Sequence, residues 1–466
     1  MATSVSSLVS TGLAANGSGG STSNGSFTGL GQGIDVNQFV QLALAGDQAN
    51  VTNVQNQQSA VAAKTSALAT ITSNLNALKS VAGALNDPFG VLSSEVVTSS
   101  NSSAVTATAT STAVAGTHNV VVTSLATTSS YYSDAVVTSS TPLATGDTIA
   151  ISAGGVSAAS VTVDSTNNTL DKIAAAINTQ TTAVRASVIN DANGARLALV
   201  STATGAPGNL AVTGKLHRTD NSAINFTQAV AGLNAVLSVD GVPISSASNT
   251  ISGVINGVTL SLAAPTGAAP ATLTVAPDTS GITSALNQFV SAYNTAISSI
   301  NAQFRVNSDG SGVQPLEADG TLRDAQAALL AAASYSTTGS NGPISLTSLG
   351  INTNNDGTLS VDSGALSTAL LSNFSGVQAF LQTTGSGFAG NLKTVLSGVS
   401  GPGGELALDA NGYTSSFLSL TQHITDLQAS LSAKQQNLIS VYAQVNVTLQ
   451  ELPLLQAQLS QQLATA

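Results

Sequence analysis

The sequence predicts an α+β multidomain protein: an antiparallel helical, coiled-coil leg built from both chain ends, with an inserted β-rich head of two small domains. Three observations carry this. Apolar residues recur at alternating three- and four-residue spacing over residues 51–87 and again over about the last fifty residues. Between them, from Glu95 to about Val275, β-branched and small polar residues alternate in the manner of half-buried strands. A helix with one apolar stripe needs a partner, so the two end segments are expected to pack on each other.

Taken in chain order, residues 1–28 are rich in Gly, Ser, Thr and Asn and are expected to be disordered when free. The stretch GLGQGIDVNQFVQLAL follows. Its glycines raise the question of a phosphate-binding loop. No strand precedes them, the spacing is G-x-G-x-G, and no Gly-Lys-Ser/Thr follows, so Gly29, Gly31 and Gly33 read as a hinge. Asp35 is placed to cap a helix starting at Val36, with Phe39, Val40, Leu42 and Leu44 on its apolar side. Farther along, Val61, Leu68, Leu75 and Ala82 share one heptad position, Val54 extending the series upstream. Ile71, Leu78 and Leu85 share its partner position, which Lys64 interrupts. Asp87-Pro88 stops the helix.

Within the β region, Leu170–Asn178 is a helical interruption and Asn193-Gly194 turns a hairpin. Helical spacing returns at Gly281, with Ile282, Leu286, Phe289, Tyr293, Ile297 and Ile300 on one side. In the last segment Phe417, Ile424, Leu431, Leu438, Val445, Leu452 and Leu459 recur every seven residues. Leu420, Leu427, Val441 and Leu455 hold the partner position, with Lys434, Thr448 and Gln462 as polar breaks. Pro453 is expected to kink or end this helix. The expected coiled-coil seam is therefore Val61, Leu68, Ile71, Leu75, Leu78 and Leu85 against Leu420, Ile424, Leu427, Leu431, Leu438, Val441 and Val445. The β region then becomes an insertion at the far end of a rod, with the two chain ends together at the other. The expected divisions are terminal segments 1–45 and 440–466, ordered only on assembly; a helical leg of 46–94 and 281–439; one β domain of 95–130 and 230–280; and an outer β domain of 131–229.

Composition narrows the function. Charged residues are 7% of the chain, against roughly a quarter in ordinary globular proteins, and the net charge is −11. Such a chain has little with which to neutralise phosphates, so neither nucleic acid nor an anionic membrane surface is an expected partner. No eighteen-residue apolar run predicts membrane insertion, and the N-terminus lacks the basic and apolar regions of a cleaved signal peptide. With no Cys, thiolate metal sites and disulfides are excluded. His118, His217 and His423 share no metal-ligand spacing and read as ordinary side chains in a strand, in a loop and on the polar side of the last helix. The stretch NTNNDGTLSVD offers calcium-like oxygens, but Ser363 stands where the twelfth loop position needs Glu, so Asp356-Gly357 reads as a hairpin turn. No catalytic constellation emerges; the expectation is a non-enzyme without cofactor or metal.

Several stretches taken together resemble the bacterial flagellar filament cap family, hook-associated protein 2 or FliD. GLGQGIDVNQFVQLAL resembles the family's N-terminal segment, and SNSSAVTATATSTAVAGTHNVVVTSLAT its first strands. VTVDSTNNTLDKIAAAINTQTTAVRASVINDANGARLALVSTATGA resembles the flagellin-hook IN motif. AVLSVDGVPISSASNTISGVINGVTLSL, QFVSAYNTAISSI and SLGINTNNDGTLSVDSGALSTAL resemble its C-terminal region. The likeness spans about residues 29–465. Two features depart from it, a longer Gly/Ser-rich tail and Pro453. The resemblance implies a ring-shaped homo-oligomer at the distal tip of the flagellum, outside the cell, exported without a cleaved signal peptide. Its implied partners are flagellin, the hook–filament junction protein and, before secretion, a cytoplasmic export chaperone. The apolar residues without an evident partner in their own chain, Phe39, Val40, Leu42, Leu44, Leu452, Leu455 and Leu459, are the expected assembly contacts. A surface adhesin binding host glycans or mucin through the β head is the alternative. Aromatics at 3% offer it few sugar-stacking platforms. A junction protein or flagellin itself would share the end helices but is not expected to carry QFVSAYN or LGINTNNDGTLSVD.

Overall fold

The structure is a computed structural model and describes residues 36–305, 314–339 and 342–464. It is α+β, with an antiparallel helical pair from both chain ends and a two-lobed β-rich insertion. The chain divides into two compact units, one of residues up to Ala69 with those from Leu408 onward, the other of Thr70–Ala407. Both cuts fall inside or beside long helices, not near 45 and 439 where the sequence suggests a change. An unbroken apolar stripe does not mark the residue at which its partner changes.

The first unit is made from the front of α1 (Val36–Leu85) and nearly all of the last helix, Glu405–Ala464. That last helix runs through residues 440–464, for which the sequence suggests order only on assembly, and through Pro453, which does not end it. Proline removes one N–H and crowds the carbonyl four residues back. The side chains on both sides of Pro453 are exposed, so water can satisfy the freed carbonyl.

In the second unit the chain passes from α1 into β1 (Glu95–Ser99), β2 (Val105–Ala109) and β3 (Gly116–Ser124). An outer lobe follows, with β4 (Thr128–Ser133), β5 (Thr148–Ala153), β6 (Val156–Thr162), α2 (Leu170–Gln180), β7 (Val184–Asp191), β8 (Gly194–Thr204), β9 (Leu210–Gly214), β10 (Leu216–His217), β11 (Ala223–Ile224) and β12 (Phe226–Val230). The chain then returns through β13 (Ala235–Val239), β14 (Val242–Ser246), β15 (Thr250–Ile255), β16 (Val258–Leu262) and β17 (Ala271–Pro277). A five-stranded antiparallel sheet of order β1-β17-β3-β13-β14 and a three-stranded sheet β15-β16-β2 share the inner lobe's core, which includes Val105, Val120, Leu237, Leu260 and Leu273. Sheets β12-β4-β8-β7 and β6-β5-β9 with α2 enclose the outer lobe's core around Ile149, Val161, Ile173, Ile177, Leu197 and Leu199. The expected helix at Leu170 is present, capped by the Thr169 hydroxyl. The expected hairpin at Asn193-Gly194 joins β7 to β8, with Gly194 at φ +123°.

The helical body comprises the end of α1, α3 (Thr279–Asn301), α4 (Gly320–Ala333), α5 (Ser363–Ser372), α6 (Phe374–Gln382) and α7 (Phe388–Ser400). It also holds two small hairpins, β18 (Ser336–Gly339) with β19 (Gly342–Ser345), and β20 (Ile351–Thr353) with β21 (Leu359–Val361). The second hairpin turns at Asp356-Gly357, as expected, with Gly357 at φ +81°. All six apolar α3 residues read from the sequence are buried. Ile71, Leu75, Leu78 and Leu85 of α1 are buried, and they fall in this unit rather than in the one that holds most of the last helix. Gln382 of α6 donates to the Leu85 and Asp87 carbonyls at 3.1 and 2.7 Å, satisfying acceptors that a helix end leaves open.

One device recurs in all three parts of this unit. Asn178 bonds both the N–H and the carbonyl of Ala186 (2.8 Å each). Asn249 does the same to Ala126, and Asn294 to Leu359 (2.6 and 2.8 Å). At Ala186 on β7 and Leu359 on β21 a side-chain amide thus takes the place of a missing strand neighbour, and at Ala126 it pins the link from β3 to β4. Asn294→Ala leaves both Leu359 groups half-buried and unpaired. We expect a loss of about 2–6 kcal/mol in the body's stability, read by urea unfolding, at roughly 1–3 kcal/mol per orphaned group.

Candidate assembly surface

We number the last helix α8 (Glu405–Ala464). Four contacts set its antiparallel register on α1. Lys64 Nζ lies 5.7 Å from the Tyr413 ring centre, and Gln58 donates to the Thr421 hydroxyl at 2.7 Å. Lys434 Nζ meets Asp47 at 2.7 Å, and the rings of Phe39 and Tyr442 lie 6.1 Å apart. Lys64 and Lys434 are the two lysines that interrupt the heptads. Each has a partner on the opposite helix, so the breaks specify register, as polar residues in coiled-coil seams do. The Lys434–Asp47 pair is about half exposed on both sides, and is worth at most about 1 kcal/mol.

The face of α1 turned to α8 runs through Val40, Leu44, Val54, Val61 and Leu68. Val40 (2% exposed) and Leu44 (1%) are therefore not free contacts, contrary to the sequence expectation, because i, i+4 spacing places them on the inner face. Leu42 is 75% exposed, and Phe39 is 38% exposed beside the Tyr442 ring. On α8, Ile424 is buried, and Leu420, Leu427, Leu431 and Leu438 are half-buried along the seam. Val441 and Val445 are corrections: they are 47% and 41% exposed. In a helix of 3.6 residues per turn a strict seven-residue series drifts by about 20° per heptad. Past Leu438 the half-buried positions become Tyr442, Asn446 and Leu449, and the valines rotate outward. Sequence reasoning missed Tyr442; its spacing of four from Leu438 was the available signal.

Phe39, near the first described residue of α1, lies level with Tyr442, so residues 446–464 of α8 extend past that level. Along this stretch Leu452, Leu455 and Leu459 are 51%, 59% and 60% exposed, with Leu454 and Leu463 exposed beside them. With Val441 and Val445 they form one stripe, offset by a residue from the seam, in which Glu451 is the only charged neighbour. Gly29, Gly31, Gly33 and Asp35 lie outside the described residues.

Two of the three histidines pair with aspartates next to strand ends. His118 on β3 pairs with Asp240 at 2.7 Å. Asp240, at φ +52° between β13 and β14, also accepts the Asn119 N–H. That backbone bond first, and His118 second, hold the Asp240 carboxyl below the usual range. His217 pairs with Asp147 at 3.0 Å and lies in the two-residue strand β10, not in a loop. His423 is exposed on α8. Among the described residues no three His, Asp or Glu converge as metal ligands, and no helix is long and apolar enough to cross a membrane.

The chain matches the family model of the flagellar hook-associated protein 2 N-terminus over residues 32–129 and that of its C-terminus over residues 232–453. It is 30% identical to flagellar hook-associated protein 2 of Escherichia coli K12, over 93% of this chain and 97% of that protein. The chain belongs to the flagellar hook-associated protein 2 family. The B-type flagellar hook-associated protein 2 of Pseudomonas aeruginosa is 32% identical over 79% of this chain and 82% of its own length. Among solved structures, the D1-D2-D3 domains of the flagellar cap protein FliD from Escherichia coli match with a TM-score of 0.57 and 30% identity, covering 75% of this chain and 99% of that one. Between the two hook-associated protein 2 matches, residues 130–231 correspond to the outer lobe, where the IN-like stretch lies.

Proposed function

We propose that this chain is the structural cap at the distal end of the bacterial flagellar filament, outside the cell. It prevents loss of exported flagellin and promotes its folding and insertion. The observation that carries this reading is the leucine stripe at the end of α8, where Leu452, Leu455 and Leu459 are more than half exposed on the part of the helix beyond the Phe39–Tyr442 contact. An apolar stripe of this kind is buried by association, which couples the ordering of the chain ends to assembly. Several copies form a ring, with the β lobes as a plate and the helical ends standing on flagellin. The hook–filament junction protein is the first surface met, and a cytoplasmic chaperone covers the stripe before export. The role is structural, without a catalytic step.

Deleting the gene in the source bacterium is expected to leave short or absent filaments and abundant monomeric flagellin in the medium. Purified protein added back restores growth. Normal filaments and normal swimming after deletion would refute the reading.

A further inference from the structure

The three parts of the second unit are joined in unequal ways. Between the inner and outer lobes, separate segments are cross-bonded. Gly205 N–H donates to the Thr127 carbonyl (3.0 Å), and the Thr204 hydroxyl to the Ala247 carbonyl (2.6 Å). Ala206 N–H donates to Asn234 Oδ1 (2.7 Å), and Gly232 N–H to Asn209 Oδ1 (2.9 Å). Backbones touch there as well. Gly205 is at φ +78° with no room for a Cβ against Ala247, and a Cβ on Gly232 would strike Asn209. Each of these contacts fixes one lobe on the other.

The crossing from helical body to inner lobe is different. The chain makes it twice, at Ser94–Glu95 and Pro277–Asp278. On the body side Asp278 N–H donates to the Ser94 carbonyl at 2.9 Å, while the Asp278 side chain caps α3 through Gly281 N–H. The next pair, Glu95 with Pro277, is a non-hydrogen-bonded pair of the antiparallel ladder. Among the described residues no hydrogen bond joins residues 95–277 to the helical body. At this rung, too, Glu95 Oε2 is enclosed and has no hydrogen-bond partner. A half-buried carboxylate with one oxygen enclosed and unpaired carries a cost, so it disfavours the arrangement that encloses that oxygen.

We infer that the two β lobes move as one rigid plate, and that the Ser94–Glu95/Pro277–Asp278 crossing is the hinge on which the plate turns against the helical body, with Glu95 biasing the hinge away from its closed form. Burial without compensation also holds the Glu95 carboxyl above the usual carboxylate range. Turning at the crossing breaks no hydrogen bond between body and plate among the described residues. Bending between the lobes would break all four cross-bonds. The inference does not rest on the capping role, because the isolated chain displays it.

The chain has no Cys, so spin labels can be placed at will. Val156 on the outer lobe, Val242 on the inner lobe and Leu371 on the body are all well exposed. Pulsed dipolar spectroscopy on Val156→Cys/Val242→Cys is expected to give one narrow distance distribution. Val242→Cys/Leu371→Cys is expected to give one at least twice as wide. Adding Glu95→Gln, which keeps the shape and removes the charge, is expected to narrow the second distribution and leave the first unchanged. Circular dichroism checks that each variant is folded. Equal widths for the two pairs would overturn the hinge. A wide body–plate distribution that Glu95→Gln leaves unaltered would overturn the role of Glu95.

Discussion

A Leu455→Asp, Leu459→Asp double variant is expected to fold like its parent and to fail at the filament tip. Both side chains are more than half exposed in the single chain, so exchanging them leaves stability within about 0.5 kcal/mol each. Against a neighbouring subunit the balance reverses. Each leucine gives up about 2 kcal/mol of apolar burial, and each aspartate must shed water without a partner, which costs at least as much again. A loss of several kcal/mol weakens association by more than about a thousandfold. The measurement is add-back to the deletion strain, with Tm and circular dichroism on the purified chain beside it. Restored filaments would show that the stripe is not the assembly contact. Val40→Asp is the contrasting control. Its 2% exposure places the charge inside the α1–α8 pair, so that variant is expected to lose helix before it loses function.

The contrast between Val40 and Leu455 shows what periodicity can reveal. Apolar spacing located α1, α3 and α8 and the alternation of the β lobes, because a helix or strand writes its own period into the chain. It does not say what covers a stripe. Val40 and Leu44 look like Leu455 and Leu459 in sequence, yet one pair is buried by α8 and the other is not. Strand partners are equally hidden: β1 pairs with β17 after the whole outer lobe has been inserted between them, and nothing in either strand names the other. The asparagine clamps were missed for a related reason. Asn178 and Asn294, on helices, read as solvent-facing residues until the strand edges they complete are known, and Asn249, between β14 and β15, reads as a loop residue. The candidate stripe itself was legible through Leu452, Leu455 and Leu459. Its backward extension through Val441 and Val445 was not, because a heptad count follows an ideal supercoil and α8 departs from it.

Phe388→Ala is expected to have the largest effect on the folded chain. The ring is 1% exposed; it meets Phe289 edge-on at 5.5 Å and 87°, and stacks on Phe380 at 5.5 Å and 22°. Phe289 in turn lies 6.2 Å from Tyr293, whose hydroxyl faces the Leu329 carbonyl at 3.4 Å and whose burial pushes its pKa up to about 12. One ring therefore connects α7 to α6 and α3. Its removal is expected to cost about 3–5 kcal/mol, the range for truncating a buried phenylalanine. A chain with several cores need not unfold in one step, so native-state hydrogen exchange is the better reading. Amides of α3 should exchange roughly a hundred to a few thousand times faster, while β8 and β16 keep their protection. Equal acceleration in the β lobes would mean that the body and the plate unfold as one cooperative block. A crossing made of two strands with no hydrogen bond between the parts argues against that, since little free energy is available there to couple one core to the next.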